Sequence, residues 1–505
     1  MNFTQLIYNL NYIYYIYKTK YYYMKHFILS LLLVSSLYMT VKSQTYLQST
    51  TFIRSYNKVQ LDSILDYNGL PSTFLGTNYV IDLYKMNYWS KDAFDTLVGA
   101  SGLLIVPQDT CDLPMFAYSH GTVSRKNDAP SRVNGAEPFI GMVMGSNGYL
   151  TIMPDYLGLG DGAGLHPYQH ARTEAYANIY MLKALKEYCT ANNIHLNNQL
   201  FLSGYSQGGH ASMCTHRMIE QEYSSEFTVT ASAPMSGAYD MDGTMVDVML
   251  SDSIYAAPAY LPYLVLSWNP IYHLYANISD AFKVPYDTSL PPLFDGTRSL
   301  GYVEARMPNV PKLIFDSTEL YRFTTDLAHP FRLALKDNNS YTHWTPAAPL
   351  RMFYCTADRQ VKYLNAIVAS DSLKANGCST CDAVLVNAVL DHQECAQFAV
   401  IMAKNFMDSL RYDGCRSNGI SSHKTVKTTI SVFPNPTAQD IKVDFMENRS
   451  YEVIITDLSG KIIYANKSYE NNQAIAIKDF ANGMYTVQVR MNAVLVDSKL
   501  FIVQK

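Results

Sequence analysis

One short motif near the middle of the chain contains residues that could take part in a reaction. The sequence GYSQG at positions 204–208 has the form G-x-S-x-G. An apolar run, Leu200–Leu202, precedes it and predicts a strand, and the residues that follow predict the start of a helix. A reversal from strand to helix over so few residues requires a sharp turn, and Gly204 and Gly208 remove side chains that would collide there. The motif therefore predicts Ser206 as a nucleophile at a helix N-terminus; the alternative is a glycine-rich turn with an idle serine.

A serine hydroxyl is a weak nucleophile unless a base removes its proton, and an acid usually orients that base. Where the nucleophile lies between a strand and a helix, the chain order is serine, acid, histidine. Asp358 follows the predicted strand 351–354, and His392 lies in the loop after the predicted strand 383–386. These positions predict Asp358 as the acid and His392 as the base.

Other side chains near these segments remain alternatives. Asp391 and Glu394 flank the predicted base and are alternatives for the acid, although neither ends a strand. The remaining histidines of interest are His166, His170, His210 and His216. The first two follow a glycine-rich stretch and are candidates for lining the pocket. The last two lie on the predicted helix after the motif and are predicted to pack or to face solvent.

Acyl transfer also needs hydrogen-bond donors for the oxygen that becomes negative in the transition state. The backbone N–H of Gln207, directly after the predicted nucleophile, is the first predicted donor. The second is expected from the loop after the predicted strand 114–119, where a glycine lets the backbone approach a substrate. We predict the Thr122 N–H in this role, with the Gly121 N–H as the alternative, and a structural role for His120.

The segments that must position these groups alternate short apolar β-rich runs with helical stretches between residues 45 and 412. Runs this short are typical of a sheet that is covered on both faces. The runs 79–88 and 96–106 predict an antiparallel hairpin at the start of this region. The other predicted central strands are 114–118, 149–153, 199–202, 229–232, 351–354 and 383–386. Residues 238–350 interrupt the alternation, with apolar and aromatic side chains concentrated in 255–275.

Composition limits the class of protein. A chain of 505 residues is long enough for two or more structural units. A net charge of −4 argues against a nucleic-acid binder, and 16% charged residues argue against a disordered chain. The 8 cysteines leave many pairings open, among them a tight Cys378–Cys381 disulfide, and Cys395 is placed to brace the loop of His392. No second cysteine pair has metal-binding spacing, so neither a zinc site nor a cofactor is predicted.

The N-terminal segment 1–43 has two parts. Residues 1–23 are rich in tyrosine, and Met24 then begins a second pattern. Its basic start, the apolar run 27–37 and the small-residue exit near 41–43 are typical of a secretory signal peptide. We predict export, with Met24 as the true start; the alternative is an N-terminal anchor helix.

The C-terminal segment also has a pattern of its own. Residues 413–429 are polar, as in a linker, and short alternating runs separated by turns predict a small β-sandwich at 430–505. The sequences PNPT at 434–437, DLSGK at 457–461 and GMY at 483–485 resemble the C-terminal sorting domain of type IX secretion cargo. This resemblance implies export through the outer membrane by the type IX machinery, to a secreted or cell-surface location. The alternative is a carbohydrate-binding β-module.

Residues 45–412 resemble an α/β-hydrolase of the secretory lipase family. The matching segments are HGT at 120–122, PDYLGLG at 154–160, HPY at 166–168, GYSQG at 204–208, DRQV at 358–361 and His392. The resemblance implies an α/β-hydrolase fold with a mostly parallel sheet. It also implies a helical lid at about 238–350, for which the alternative is ordinary helix packing onto the core. The sorting tail departs from the usual single-domain form of the family.

The predicted activity is hydrolysis of carboxylic esters, with a lipid or another small acyl ester as substrate. An apolar lid suits acyl chains and excludes water from the reacting groups. Two alternatives remain. A serine peptidase of the prolyl oligopeptidase type has the same order of catalytic residues, although no repeats of propeller period are present. A non-catalytic surface adhesin is the alternative outside enzymes.

Overall fold

The computed structural model describes residues 14–26, 44–67, 75–108, 111–412, 430–444, 451–457, 461–468, 472–491 and 494–505. The chain divides into two units, Met1–Thr45 and Tyr46–Lys505. In the first unit, residues 14–26 are helical. The predicted signal-peptide residues 27–43 and the predicted linker 413–429 lie outside the described residues.

Within the described residues, nine strands form one central sheet. In chain order they are β1 (Leu47–Tyr56), β2 (Ile81–Lys91), β3 (Leu97–Pro107), β4 (Leu113–Ser119), β5 (Leu150–Pro154), β6 (Leu196–Tyr205), β7 (Ala231–Met235), β8 (Leu350–Cys355) and β9 (Cys381–Asn387). Their order across the sheet is β1-β2-β3-β5-β4-β6-β7-β8-β9. The neighbouring pairs β1–β2, β2–β3 and β3–β5 are antiparallel. The other pairs, β5–β4, β4–β6, β6–β7, β7–β8 and β8–β9, are parallel. The predicted mostly parallel sheet is confirmed.

The observed strand ends differ from the predicted ones by one to three residues, and one strand was not predicted. β7 begins at Ala231, two residues after the predicted start, because its pairing with β6 starts at Phe201. β1 was not predicted because it is an edge strand with little of the sequence alternation that marks a buried one. Of its ten residues, Tyr56 is the only one that is buried. The predicted hairpin near the start of the domain is confirmed as the antiparallel pair β2 and β3.

The α-helices of the second unit lie between and after these strands. They are α1 (Lys58–Tyr67), α2 (Glu137–Ser146), α3 (Ala171–Ala191), α4 (Gln207–Glu222), α5 (Thr244–Leu250), α6 (Tyr260–Tyr272), α7 (Tyr286–Ser289), α8 (Leu300–Glu304), α9 (Ser317–Thr325), α10 (Pro330–Asp337), α11 (Leu364–Ala375) and α12 (His392–Leu410). None of the helices in the described part of the chain combines the length and the apolar character needed to cross a membrane.

The sheet has a hydrophobic core on each face because successive side chains of a strand point to opposite sides. In β3, Leu103 packs in a core with α1, α2 and α12, whereas Leu104 packs in the opposite core with α3 and α4. In β6, Phe201 and Leu202 divide between the two cores in the same way. This explains why the strands of the parallel region read as continuous apolar runs.

The chain between β7 and β8 forms helices α5 to α10 and has a hydrophobic cluster of its own. Trp268, on α6, is fully buried in this cluster and packs against Phe331 on α10. The aromatic run 255–275 that stands out in the sequence therefore supplies the interior of this helical segment.

The C-terminal region contains two antiparallel sheets, in the orders β10-β11-β14 and β13-β12-β15-β16. The strands are β10 (Ser431–Phe433), β11 (Asp440–Asp444), β12 (Tyr451–Asp457), β13 (Ile462–Ser468), β14 (Asn472–Ala476), β15 (Gly483–Met491) and β16 (Val494–Val503). Ile441 and Ile475 of the first sheet share one buried cluster with Val453, Val487 and Phe501 of the second. This confirms the predicted small β-sandwich.

Candidate active site

Ser206 lies on the sharp turn between β6 and α4, with φ of 60° and ψ of −119°. A positive φ is rare and strained for a residue with a side chain. The turn is tightly packed: a Cβ added to Gly208 would lie 1.8 Å from the carbonyl oxygen of Ser119, and one added to Gly204 would lie 2.3 Å from the Gly208 oxygen. The Ser206 N–H donates to the Met235 carbonyl at 3.0 Å. Glycine at both flanking positions is therefore a steric requirement of this turn.

The three side chains predicted as nucleophile, base and acid converge in the structure. The Nε2 atom of His392 lies 2.9 Å from Ser206 Oγ, and its Nδ1 atom lies 2.6 Å from Asp358 Oδ2. All three residues are buried. A carboxylate can only accept, so Nδ1 carries a proton, and in the neutral ring Nε2 is then free to accept the Ser206 proton. The arrangement is chemically suited to activating the hydroxyl.

Asp358 is fixed by the turn that follows β8. Its second oxygen, Oδ1, accepts hydrogen bonds from the N–H groups of Gln360 at 2.9 Å and Val361 at 2.8 Å. These bonds leave Oδ2 to face His392. The D-x-x-V pattern at 358–361 therefore corresponds to a turn that aims one oxygen of the carboxylate at the imidazole.

His392 is the first residue of α12, and the two alternative acids cap that helix. Oδ1 of Asp391 accepts from the N–H groups of Gln393 and Glu394, each at 2.9 Å. The Glu394 carboxylate in turn accepts from the Asp391 N–H at 3.2 Å, which completes a capping box. Asp391 and Glu394 thus fix the start of the helix, while the His392 ring contacts Asp358.

A disulfide joins the segments that carry Asp358 and His392. Cys355, the last residue of β8, is bonded to Cys395 in the first turn of α12. Each cysteine is three residues from the side chain it supports, Asp358 or His392. The bracing role expected of Cys395 and the predicted Cys378–Cys381 disulfide are both present.

Replacing both Cys355 and Cys395 with alanine is expected to lower the free energy of unfolding by about 4 kcal/mol. The reason is that this disulfide closes a loop with a sequence separation of 40, which restricts the unfolded chain. The matched control is the double alanine variant of Cys378 and Cys381, whose separation is 3 and whose expected loss is about 2 kcal/mol. Denaturant unfolding measures both values, and equal losses would contradict the loop argument.

The two predicted oxyanion donors of the loop after β4 have different partners. The Gly121 N–H donates to Glu137 Oε1 at 3.1 Å and is therefore occupied in this structure. Thr122 follows it, and its hydroxyl lies 3.2 Å from the hydroxyl of Tyr168. Gln207 is the first residue of α4, where N–H groups have no partner within the helix. The N–H groups of Thr122 and Gln207 therefore remain the two predicted donors for the oxyanion.

Burial raises the pKa of Glu137, because the charged carboxylate is less stable away from water. The folded protein therefore holds this proton more tightly than the unfolded chain. The stability it contributes is fully present below pH 4.5 and is lost as the pH rises through the higher folded pKa. Glu137, which accepts from the Gly121 N–H, thus makes the stability of the folded protein depend on pH.

Replacing Glu137 with glutamine is expected to remove this pH dependence while keeping an acceptor for the Gly121 N–H. The stability of the wild type relative to the variant should then fall as the pH rises above the usual carboxyl range. Urea unfolding between about pH 4 and about pH 8 measures the difference. A difference that stays constant, or that grows with pH, would contradict the assignment.

The other histidines of the region are buried. His120 lies with Nδ1 2.7 Å from the Gly121 oxygen, and burial lowers its pKa to about 4. Burial likewise lowers the pKa of His166 to about 3 and that of His170 to about 4, so these rings are neutral near pH 7. The structural role predicted for His120 agrees with these contacts.

His210 and His216 were predicted to pack or to face solvent, and both are fully buried beside carboxylates. His216 lies 2.9 Å from Glu220, four residues further along the same helix. His210 lies 2.7 Å from Glu174, on a different helix. The first pair is visible in the sequence as an i, i+4 spacing, whereas no local pattern indicates the second.

Helix α6 and the residues before it reach the loops of the site. The Tyr255 hydroxyl donates to the Gln360 carbonyl, next to Asp358, at 2.6 Å. The ring of Tyr263 stacks on Tyr168 with centroids 4.6 Å apart. A small cavity of about 30 Å³ lies beside Tyr168 and is lined mainly by apolar side chains that include Met241, Met245, Met249, Tyr255, Leu261 and Leu264. The helical segment therefore presents an apolar surface beside the candidate catalytic groups.

Comparisons with known sequences identify two families. The family described as secretory lipase matches residues 134–382, and the secretion system C-terminal sorting domain matches residues 431–504. The search of curated proteins found no match.

In the described residues, no group of three or more histidine, cysteine or acidic side chains is arranged to hold a metal ion.

Comparisons with solved structures identify similar folds. A protein from Legionella pneumophila assigned as a hydrolase is 30% identical, with a TM-score of 0.68, and the match covers 74% of this chain and 100% of that one. The rice cell wall degrading esterase LipA from Xanthomonas oryzae is 26% identical, with a TM-score of 0.64, over 72% of this chain and 99% of that one. Candida antarctica lipase A shares the fold at 14% identity, with a TM-score of 0.53, over 72% of this chain and 81% of that one.

These matches agree with the fold. The secretory lipase match includes β5, the GYSQG turn and β8, and the sorting-domain match includes the strands of the C-terminal sandwich. The sorting domain indicates a secreted or cell-surface protein. The chain belongs to the secretory lipase family of α/β-hydrolases, is a carboxylic ester hydrolase, and carries a C-terminal secretion sorting domain.

Proposed function

We propose that the protein cleaves lipid or other acyl esters through a covalent acyl-enzyme on Ser206, with His392 as the base and Asp358 as the orienting acid. The observation that carries this proposal is the continuous chain of contacts from Ser206 Oγ to His392 Nε2 and from His392 Nδ1 to Asp358 Oδ2. These distances are within hydrogen-bond reach without any rearrangement.

The reaction has two halves. His392 takes the proton of Ser206 as its oxygen attacks the ester carbonyl, and then gives that proton to the departing alcohol. The acyl group remains on Ser206 until a water molecule, deprotonated by His392, attacks it; the bond to Ser206 Oγ then breaks, His392 returns the proton to that oxygen, and the acyl group leaves as a carboxylic acid. Asp358 stays ionised throughout and stabilises the imidazolium that forms in each half.

The N–H groups of Gln207 and Thr122 bind the oxygen that becomes negative in each half. Such donors are effective because they are fixed before the reaction and lie in a site from which water is excluded. Removing one of them typically costs about 3 to 4 kcal/mol of transition-state stabilisation. Gly121 acts indirectly in this scheme, since its N–H anchors the loop to Glu137.

Residues 238–350 act as a lid that contributes an apolar acyl-binding surface. The contacts of Tyr255 with the acid loop and of Tyr263 with Tyr168 support this assignment. The apolar cavity beside Tyr168 and Tyr255 is only about 30 Å³, so an acyl chain that binds there requires the lid to move. Substrate-dependent opening of this kind is common where a lid covers a reaction centre.

The chain has four functional parts in this proposal. Residues 1–43 hold the signal peptide, with Met24 as its start, and 45–412 form the hydrolase domain. The linker 413–429 then connects to the sorting domain at 430–505, which is recognised by the type IX machinery. The match to the secretion sorting family supports this last assignment.

The proposal is tested with a fluorophosphonate probe and a panel of nitrophenyl esters from acetate to palmitate, together with peptide amides. We expect stoichiometric labelling of Ser206 and turnover of the esters, with little turnover of the amides. Labelling with preferential amide cleavage would favour the peptidase alternative. Absence of both labelling and turnover would favour the adhesin.

A further inference from the structure

We propose that Glu174 and His210 are positioning residues that hold the first turn of α4, and with it the Gln207 N–H, in the orientation that binds the oxyanion. This inference rests on the function proposed for Ser206. Neither side chain touches the reacting atoms in this scheme, so both act through Gln207.

One buried carboxylate bridges two positions of the helix that follows the nucleophile. Glu174 lies in the first turn of α3 and is 1% exposed. Its Oε1 atom accepts from Nε2 of Gln207 at 2.7 Å, and its Oε2 atom lies 2.7 Å from Nδ1 of His210. Gln207 and His210 are the residues one and four positions after Ser206, so a single group spans the first turn of α4.

The Gln207 side chain also contacts a second buried group. Its Nε2 atom also lies 2.7 Å from Nε2 of His166, whose Nδ1 lies 2.9 Å from the Leu157 carbonyl oxygen. Because that carbonyl can only accept, Nδ1 of His166 carries the proton and its Nε2 accepts from Gln207. Both hydrogens of the Gln207 amide are therefore used, one by Glu174 and one by His166.

His210 compensates the buried charge of Glu174. Its Nε2 atom lies 2.8 Å from the Asn338 carbonyl oxygen, so both ring nitrogens face groups that only accept. Burial opposes protonation of the ring, but the neighbouring Cys214 and Glu174 raise the pKa of His210 well above its usual value. A buried carboxylate is tolerated when it is paired and hydrogen-bonded in this way.

Asn338 connects this network to the helical lid. It follows α10 directly, and its side chain accepts from the Ala171 N–H at 2.7 Å and donates to the Tyr272 hydroxyl at 2.8 Å. Ala171 is the first residue of the helix that carries Glu174. The Glu174 carboxylate therefore lies between Gln207 and His210 of one helix, while the helix that carries it is anchored at its first residue by Asn338.

Rigid support of this kind matters because an oxyanion donor acts only when it is aligned before the charge develops. Loss of a complete donor costs about 100-fold to 1000-fold in kcat. Loss of its support should cost less, and we expect about 30-fold in kcat. KM should change by less than about 3-fold, because the contact strengthens only in the transition state.

The test compares Glu174→Gln with the matched control Glu220→Gln. Glu220 forms the same kind of pair with His216 at 2.9 Å, further along the same helix and away from the turn at Ser206. For each variant, kcat and KM on a nitrophenyl ester, the affinity for a trifluoromethyl ketone and the thermal unfolding midpoint are measured. The ketone forms a tetrahedral adduct with the serine and therefore reports on the oxyanion donors.

We expect both variants to unfold at lower temperature, but only Glu174→Gln to lose kcat and ketone affinity in parallel. Wild-type kcat and ketone affinity in Glu174→Gln would overturn the proposal, and so would an equal kcat loss in both variants. Gln207→Met is a second variant that keeps the backbone N–H and removes the two amide hydrogen bonds. If Glu174→Gln does not fold, an unchanged kcat in Gln207→Met overturns the proposal, and the expected loss supports it.

Failure of the positioning role can be told apart from failure of the function proposed for Ser206. If the wild type neither reacts with a fluorophosphonate nor cleaves esters, the assignment of Ser206 is wrong, and the positioning role of Glu174 and His210 is then wrong as well. If the wild type is active and labelled while Glu174→Gln matches it in every kinetic readout, only the positioning role is wrong.

Discussion

Replacing Ser206 with alanine is expected to lower kcat for ester cleavage by a factor on the order of 10⁶ and to abolish labelling by a fluorophosphonate. The loss is this large because the hydroxyl oxygen forms the covalent intermediate, and no other group at the site can replace it. His392 and Asp358 would keep their mutual contact, but the imidazole would have no proton to take from a nucleophile. Steady-state hydrolysis of a nitrophenyl ester, with the variant at high concentration, measures the residual rate.

The fold should survive this substitution. Alanine has the same Cβ as serine, and it can adopt the backbone conformation that Ser206 already has at φ of 60°. The thermal unfolding midpoint should therefore stay close to that of the wild type. Ser212→Ala is a matched control, because Ser212 is a buried serine on α4 whose hydroxyl donates to the Gly209 carbonyl. Full activity in Ser206→Ala, or an equal loss in Ser212→Ala, would refute the assignment of the nucleophile.

The sharp turn at Ser206, the candidate nucleophile, was predictable because its signal is local. A strand, a turn with glycine at two fixed positions and a helix all lie within about ten residues of Ser206. The candidate acid and base required one more step, the chain order of an α/β-hydrolase, and the strand ends then indicated Asp358 and His392. What the structure adds is the distance between them, which no spacing along the chain determines.

The supporting network was not predictable because its contacts join distant segments. Glu174 and His210 are separated by 36 residues, and nothing in either neighbourhood indicates the other. Cys355 is likewise separated by 40 residues from Cys395, so only the bracing role of the latter could be anticipated. The occupation of the Gly121 N–H by Glu137 also depends on how α2 packs beside the loop.

The strands also differ in how well their own sequences identify them. The buried strands β4, β5 and β6 were recognisable from their apolar runs alone. The edge strand β1 was not, since its alternation is weak and most of its side chains are at least partly exposed. Prediction from sequence is thus strongest where burial on both faces determines the residue types, which is also where the candidate site is built.

The three carboxylates near His392 have different contacts in the structure. Asp391 is adjacent in sequence, yet its side chain accepts from the N–H groups that begin α12. Glu394 reaches back to the Asp391 N–H. Asp358, the most distant in sequence, lies 2.6 Å from the ring. Helix capping accounts for the two acidic residues beside His392, and of the three carboxylates Asp358 is the one in hydrogen-bond contact with the ring.

Replacing Asp358 with asparagine is expected to lower kcat by about 10⁴-fold. Asparagine has nearly the same shape, so the fold and the bonds from Gln360 and Val361 can persist. It lacks the negative charge that stabilises the imidazolium, and its amide can donate to Nδ1 and so hold the ring in the wrong tautomer. The reaction then loses its base although Ser206 remains in place, and kcat on a nitrophenyl ester measures the loss.

Asp391→Asn is the matched control for this prediction, because it makes the same chemical change one residue before the base. Asparagine caps a helix about as well as aspartate, so α12 should keep its start and kcat should remain within about 2-fold of the wild type. If Asp391→Asn instead shows the large loss and Asp358→Asn retains activity, Asp391 is the acid and the contact at Asp358 is structural. The two variants therefore decide between the carboxylates by charge alone, since neither removes a side chain nor alters its size.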